Sequence, residues 1–443
     1  MELIGRAVYP ESPSYAEARA DWDRLFSSYP RVIVFAENAD DVVNAVIWAR
    51  ENEVELRVRG GRHCLEGWSN VSGGIVVDVS QMKSARLDPR AATVTVGAGL
   101  TQVEAVAALG ERGFAVATGG EATVGLTGAT LGGGLGFFTR NYGMVCDNLI
   151  AAEVVVASGG DGAQAIRVDR ERNSDLLWAL RGAGNGNFGI VTSLTYRMYP
   201  LTQVTLLRAK WSGFDDVQGV FGAWQQLAPA TDRRLSSALS CGSDGMELSA
   251  ILQSGRPEEA RELLAPILSA GRPDVLVRAG SWVEIFAALQ PPPDSPVEKA
   301  NNWKFNSQFI TTPFPAEAID LVAKYSAAAP SAASDYFCSS LGGAMTEPPP
   351  GGSAFVHRDA LFYAEPGAGW NGDEITPTAL AWVAEFSEAL RPHVNGAYVN
   401  VPNADAADWE TAYWGEHYPR LREIKARYDP DNVFRYEQSV RPA

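Results

Sequence analysis

The sequence predicts an α+β chain of two domains, and three observations carry that expectation. Its 443 residues exceed what one hydrophobic core holds, since single cores stop growing near about 250–300 residues. Up to Pro200, β-branched runs interleave with helical patterns; from Leu201 to Tyr398, alternating apolar segments are separated by helices rich in alanine and acids. The second pattern suits one antiparallel sheet covered by helices on one face. The boundaries expected are 1–200 for a first, ligand-holding domain, 201–398 for a second, and 399–443 for a C-terminal segment.

The elements follow in order. Val32 to Phe35, a helix from Ala39 to Arg50 and a strand ending at Arg59 form a β-α-β start, with Asn38 as cap and acids in the first helical turn. Gly74 to Val79 and Ala92 to Val96 alternate as strands, Thr101 to Gly113 has amphipathic helical spacing, and Leu149 to Ala157 is a continuous apolar run of a buried strand. Asp175 to Arg181 reads as helix and Gly189 to Tyr199 as strand. In the second domain the strands expected are Val204 to Trp211, Ser236 to Ser240, Met246 to Leu252, Lys304 to Ile310 and Ala354 to Ala364, and the helices include Pro257 to Ala270 and Pro315 to Ala328. A helix from Tyr418 to Arg427 ends at Asp429-Pro430, because proline excludes helical geometry at the residue before it.

Composition excludes several functions. Lys and Arg number 37 against 53 Asp and Glu, a net charge of −16, so a nucleic-acid partner is not expected. The start Met1-Glu2-Leu3-Ile4-Gly5-Arg6 lacks a basic, apolar leader, and no stretch approaches the roughly 20 apolar residues of a membrane span. The expectation is a cytoplasmic protein without a membrane partner. Cys64, Cys146, Cys241 and Cys338 are too dispersed for a metal set or a disulfide framework and read as free thiols.

Chemistry concentrates in two glycine-rich stretches. In Val58-Arg59-Gly60-Gly61-Arg62-His63-Cys64, small residues after a strand let backbone N–H groups approach an anion, two arginines flank them, and His63 adds a nucleophilic imidazole. A phosphate loop holding such a nucleophile suggests a covalently held flavin. Gly119 to Gly136 is the second stretch, followed by Tyr142-Gly143 and Asp147-Asn148. A third motif, Gly184-Asn185-Gly186-Asn187-Phe188-Gly189, matches G-x-G-x-x-G, yet it follows a helix and opens a strand, the reverse of a nicotinamide-binding turn.

The blocks "VRGGRHCLEGWS", "VGLTGATLGGGLGFFTRNYGMVCDNL", "DLLWALRGAGNGNFGIVTS" and "RLREIKARYDPDNVFRYEQSV" together resemble the berberine bridge enzyme-like FAD-linked oxidases, in the family's order and across nearly the whole chain. The resemblance implies a two-part FAD-binding domain of the PCMH type (1–200), a substrate-binding domain (201–398) with an antiparallel sheet covered by helices, and a C-terminal segment returning to the FAD domain. FAD is implied as cofactor, linked through its 8α-methyl carbon to His63. Glu121 stands where many members carry a second linking cysteine, and a carboxylate forms no thioether, so attachment is expected through His63 only. Arg59, Gly60, Gly61 and Arg62 match the pyrophosphate turn, with Cys64, Gly67 and Trp68 in the same block, and Arg62 replaces a glycine. Val124, Gly125, Gly128, Gly132, Gly133, Gly134, Tyr142, Gly143, Asp147 and Asn148 would pack along the ribityl chain and ring. Gly189 and Val191 would contact the adenine, and Asn432 and Gln438 match a flavin-side clasp.

The implied activity is dehydrogenation of a C–OH or C–N bond of a small, largely apolar metabolite, with O2 reduced to H2O2. A dehydrogenase using another acceptor and a binding protein without turnover are the alternatives. Flavin oxidation needs a base facing the substrate, and the candidates are His357 and Tyr363, taken as one face of one strand, and Tyr398. Many relatives that oxidise alcohols or sugars carry an Asn-Tyr pair where this chain reads Asn400-Val401. Trp211, Trp282, Trp303, Phe305, Phe309 and Trp370 are expected around an apolar pocket. Val124 is expected beside the flavin C4a, where its small side chain leaves room for O2. The oligomeric state is left open.

Overall fold

A computed structural model describes residues 2–443 except 158, 159 and 161; Met1 of the N-terminal reading lies outside the described residues. The first part of the chain forms two sheets. One has four strands in the order Arg6–Val8, Val32–Phe35, Ile75–Asp78, Leu56–Arg59, the last three parallel. The intervening helix Ala39–Glu51 is capped by Asn38, whose side chain accepts from Asp41 N at 3.0 Å, a contact worth about 1 kcal/mol. The second sheet has five antiparallel strands, Ala85–Asp88, Thr93–Gly97, Ile190–Arg197, Leu149–Ala157 and Ala163–Asp169. The chain is α+β, its first part divided between these two sheets.

The large sheet has the order Asp274–Gly280, Val204–Ser212, Gly245–Gln253, Leu235–Gly242, Asp335–Ser340, Phe362–Trp370, Asn302–Phe305, and Gln308–Ile310 also pairs with Phe362–Trp370. Every pairing is antiparallel. Period-2 alternation splits its residues cleanly. Tyr336 and Cys338, and likewise Phe362, Ala364 and Ala368, pack with the helices Val217–Leu227, Pro257–Leu268, Ala316–Ala327 and Thr376–Leu390. Asp335, Phe337, Ser339, Tyr363 and Glu365 face the opposite way, into a cavity.

Two expected strands differ in the structure. Lys304 to Ile310 is broken into Asn302–Phe305 and Gln308–Ile310. Ala354 to Ala364 is largely loop, the strand starting only at Phe362, because Arg358 is drawn off by its ion pair with Asp147 at 2.7 Å. The C-terminal helices Trp409–Trp414 and Tyr418–Tyr428 pack into the same core as the five-stranded sheet. Among the described residues no helix is long and apolar enough to cross a membrane, and Cys64, Cys146, Cys241 and Cys338 are unpaired.

Candidate active site

One cavity of about 1550 Å³ lies between the glycine loops and the large sheet. It exceeds the roughly 300–1,000 Å³ of a pocket for one small ligand, which leaves room for a cofactor and a substrate together. Its cofactor side is built from glycine on glycine. A Cβ on Gly61 would stand 2.3 Å from Gly125 N, so the two turns meet backbone to backbone, and residues 60–64, 123–125, 127 and 128 line the cavity. Gly186, Gly189 and Val191 continue the lining, and Phe434, Arg435, Tyr436 and Gln438 complete it from the C-terminal segment. The third glycine motif leaves the helix Ser174–Leu180 and enters the strand Ile190–Arg197, as the sequence placed it.

FAD fits this lining, because several lining residues keep buried polar atoms without a protein partner, among them Thr127 Oγ1, Gln102 Nε2 and Asn400 Oδ1. A ligand rich in both donors and acceptors satisfies such a set. His63 lines the same wall with Nε2 at 2.8 Å from Thr123 Oγ1 and its ring stacked 4.7 Å from Trp22. Burial pushes its imidazole down to about 4, so at neutral pH it is uncharged and nucleophilic. Burial pushes the adjacent Cys64 thiol up to about 11, which leaves it protonated. Glu121 and Val124 also line the cavity.

Several residues read as cofactor ligands are either engaged within the protein or absent from the cavity lining. Arg59 lines the cavity, but its charge is spent inside the protein: Nε donates to Asp78 at 2.9 Å, Nη2 donates to Ala18 O at 2.6 Å, and Asp21 lies 3.7 Å away. Arg62 donates to the carbonyls of Glu17 and Ala20. Its φ of 65° is left-handed, where a glycine is relaxed and an arginine strained. Backbone N–H groups, rather than these two arginines, are left to meet a pyrophosphate. Gly67, Gly132, Gly133, Tyr142, Gly143, Asp147, Asn148 and Asn432 are absent from the lining. Tyr142 stacks on Tyr199 at 3.7 Å, Asp147 pairs with Arg358, and Asn148 donates to the carbonyls of Tyr142 and Met144. This block holds the glycine turn from behind, through Val145 N to Gly134 O and Cys146 N to Gly133 O. Gly67 turns against Phe26, and Asn432 sits in the turn after the last helix.

That turn brings the second wall close. A Cβ on Gly132 would meet Asn400 Oδ1 at 2.0 Å. Gly134 N donates to Tyr398 Oη at 2.7 Å, and Asn400 Nδ2 donates to the same oxygen at 2.9 Å. Tyr398 is thus fixed on the cavity wall with two donors on its oxygen. Burial still raises its phenol above the ordinary value, and the two donors oppose that shift.

Across the cavity Tyr363 donates to Glu365, two residues on along the same strand. Burial pushes the Glu365 carboxyl up to about 7, with the Tyr363 hydrogen bond opposing and the Asp335 charge adding to it. Tyr363 is raised well above its ordinary value by burial and by that carboxylate. A carboxyl titrating near neutrality suits general-base work; a phenol that high does not, which turns the Tyr363 expectation from base to proton donor toward Glu365. Glu365 was overlooked in the sequence, although a carboxylate two residues after Tyr363 in an otherwise apolar run is the signal that finds it. His357 lies outside the cavity lining, its ring 4.2 Å from Phe309 and Nε2 buried without a partner. It precedes the strand rather than sharing a face with Tyr363. Of the expected aromatics, Trp211, Trp303 and Phe305 line the cavity, whereas Trp282, Phe309 and Trp370 belong to cores.

Two family models match the chain, an FAD binding domain over residues 30–160 and a berberine and berberine-like segment over residues 397–441. The uncharacterised FAD-linked oxidoreductase YgaK of Bacillus subtilis is 36% identical over 444 residues, covering 100% of this chain and 98% of that protein. The aclacinomycin-N/aclacinomycin-A oxidase of Streptomyces galilaeus is 28% identical, covering 94% of this chain and 86% of its own. Among solved structures, BBE-like 1 of Physcomitrella patens superposes with a TM-score of 0.90 at 25% identity, over 98% of this chain and 96% of that one.

Proposed function

The chain belongs to the berberine bridge enzyme-like FAD-linked oxidoreductases, and on that footing we propose that it is an oxidase acting on a C–OH or C–N bond of a small molecule, with O2 as acceptor. The observation that carries this reading is the Glu365 carboxyl, near neutrality and facing the glycine cradle across one cavity. FAD, when bound, would supply the hydride acceptor, and O2 would take up its two electrons and two protons to leave as hydrogen peroxide. The chain supplies the rest. Glu365 takes the proton from the O–H or N–H being oxidised, Tyr363 holds the Glu365 carboxylate by its hydrogen bond, and Tyr398, pinned by Gly134 and Asn400, orients the reacting group. Residues 60–64, 123–125, 127 and 128 would hold the pyrophosphate and ribityl, and Gly189 and Val191 the adenine.

Covalent attachment at His63 alone is part of the proposal. His63 Nε2 lies 2.8 Å from Thr123 Oγ1, a hydroxyl that pairs with either tautomer; in the tautomer with the proton on Nε2, Nδ1 keeps the lone pair that bonds carbon. Denatured protein is expected to keep its yellow chromophore on the polypeptide, and His63→Ala to release it. A second flavin-bearing peptide contradicts the single link set by Glu121. A cytoplasmic site accords with the four free thiols.

Val124 lines the cavity beside Thr123 and Gly125, and supports an oxidase by leaving O2 room. After anaerobic reduction, admitting air is expected to reoxidise the flavin with one peroxide per flavin. Val124→Ile slows that step and spares reduction. Slow reoxidation of the wild type, with rapid reduction of an artificial dye, makes the protein a dehydrogenase instead.

A further inference from the structure

The sheet face of the cavity carries more carboxylate than cation. Its two basic residues, Arg208 and Lys210, are both engaged by Glu247, at 3.7 and 2.8 Å. Asp335 and Glu365 have no cation within ion-pair distance among the described residues; Ser240 donates to one and Tyr363 to the other. Their strands are adjacent, with Asp335 opposite Gly367 and Phe337 opposite Glu365, so the two carboxyls are diagonal neighbours on one face. Burial pushes Asp335 up to about 6, the mark of a negative charge lacking a counter-ion.

An aromatic wall adjoins them. Phe305 is opposite Gly367 on the next strand and Trp303 opposite Gly369. A Cβ on Gly367 would stand 2.8 Å from the Phe305 ring, and one on Gly369 2.6 Å from the Trp303 ring. The two glycines therefore let both rings lie against the strand, parallel within 3° and 5.5 Å apart. Gly367 also keeps the space beside Asp335 Oδ1 open, 3.7 Å from where its Cβ would be. Trp303 is only 6% exposed, and its indole N–H has no partner.

We propose that Asp335, Ser240 and the Phe305–Trp303 wall form an anchor for a protonated or quaternary nitrogen, so that the substrate is an amine with an apolar body. A carboxylate beside aromatic faces is the pairing that recognises such a cation. Anions are repelled by the same two carboxyls. Neutral polyols satisfy hydrogen bonds there but leave the charges uncompensated. The anchor lies one strand from Glu365, so the base can take the proton of a protonated amine, freeing the lone pair before hydride leaves the adjoining carbon, or, for a quaternary nitrogen, take the proton of an O–H on a neighbouring carbon that then gives up hydride. The inference rests on the FAD-oxidoreductase reading and narrows its substrate.

Calorimetric titration of the isolated protein with benzyltrimethylammonium and with benzyl alcohol tests it. The cation is expected to bind more tightly. Asp335→Asn should weaken it by about tenfold or more, the scale of a charge-assisted contact, and leave benzyl alcohol within twofold. If Asp335→Asn does not fold, Phe305→Leu takes its place, with the same selective loss expected through the ring face. Equal affinity for the two probes, no binding of the cation, or equal losses in the variant overturn the anchor. Flavin content is read separately by absorbance: a colourless preparation overturns the FAD reading and leaves the titration to decide the anchor.

Discussion

Glu365 sets the pH at which this site can work. Its carboxyl lies near 7 because burial penalises the charge more than Tyr363 relieves it. A base acts when ionised, so flavin reduction by substrate is expected to rise with pH through about 7 and level off above. Glu365→Gln should remove that limb and slow anaerobic flavin reduction by about 10²–10⁴, with the flavin spectrum unchanged. Tyr363→Phe removes a donor to the base, which lowers its acidity, and moves the limb to higher pH with a smaller loss of rate. If Glu365→Gln costs less than about tenfold, the base lies elsewhere and Tyr398 is the next residue to change. At this scale the glycine loops and His63 were legible because close backbone approach needs particular residues at particular places. Arg59 was not, since a sequence shows that an arginine flanks a loop but not that Asp78 and Asp21 already neutralise it.

The last helix shows how an element distant in sequence completes the cavity. Tyr418–Tyr428 ends where Lys425, fully buried, pairs with Asp429 at 2.6 Å and donates to the carbonyls of Asn187 and Phe434. Asp429 in turn accepts from Val433 N and Phe434 N, which folds the Asp429–Phe434 turn and delivers Phe434 and Tyr436 to the cofactor wall. Lys425→Met leaves Asp429 buried without its cation and should cost about 3–5 kcal/mol, read as a loss in urea midpoint. Adding Asp429→Leu should recover part of the loss in stability, because removing both charges is far cheaper than removing one. Pro430 announces the end of the helix in sequence; the ion pair behind it does not, being a meeting of side chains with two separate backbone segments, at Asn187 and at Val433–Phe434. The same reason hid the strand Asp335–Ser340. Its apolar and polar residues alternate as a strand should, but the cavity-facing Asp335 and Ser339 weaken the apolar pattern until the neighbouring strands are in place.

Across the whole molecule, the N-terminal loop ties the cofactor wall to the large sheet. Trp22 stacks between His63 at 4.7 Å and Trp303 at 5.4 Å, Arg24 N donates to Asn301 O at 2.8 Å, and Glu66 pairs with Lys304. Asp23, only 1% exposed, accepts from Trp303 N at 3.1 Å and from Leu25 N at 3.0 Å. Burial outweighs those two donors and pushes its carboxyl from 3.8 up to about 7, with Glu66 raising it further and Lys304 opposing. Because this is an acid with a raised folded value, its contribution to stability is fully present at pH below about 4 and is lost as pH rises to about 7. Asp23→Asn keeps an oxygen for both backbone donors and removes the charge. It should raise the melting temperature at pH 8 by a few degrees, since 1 kcal/mol moves a domain of this size by about 2–4 °C. At pH 5 the folded Asp23 is still protonated but the unfolded one is already ionised, so the advantage of the variant should be smaller than at pH 8 and should vanish only below about pH 4. Asp335 and Glu365 titrate in the same window, but they line the cavity, so their share should shrink when a cationic ligand is added and Asp23's should not. Melting curves of wild type and Asp23→Asn at pH 5 and pH 8, with and without benzyltrimethylammonium, separate the two sources. A variant less stable than wild type at pH 8 means that the Asp23 charge is compensated by Lys304 after all, and that the loop is held to the sheet by an ion network rather than by two neutral hydrogen bonds.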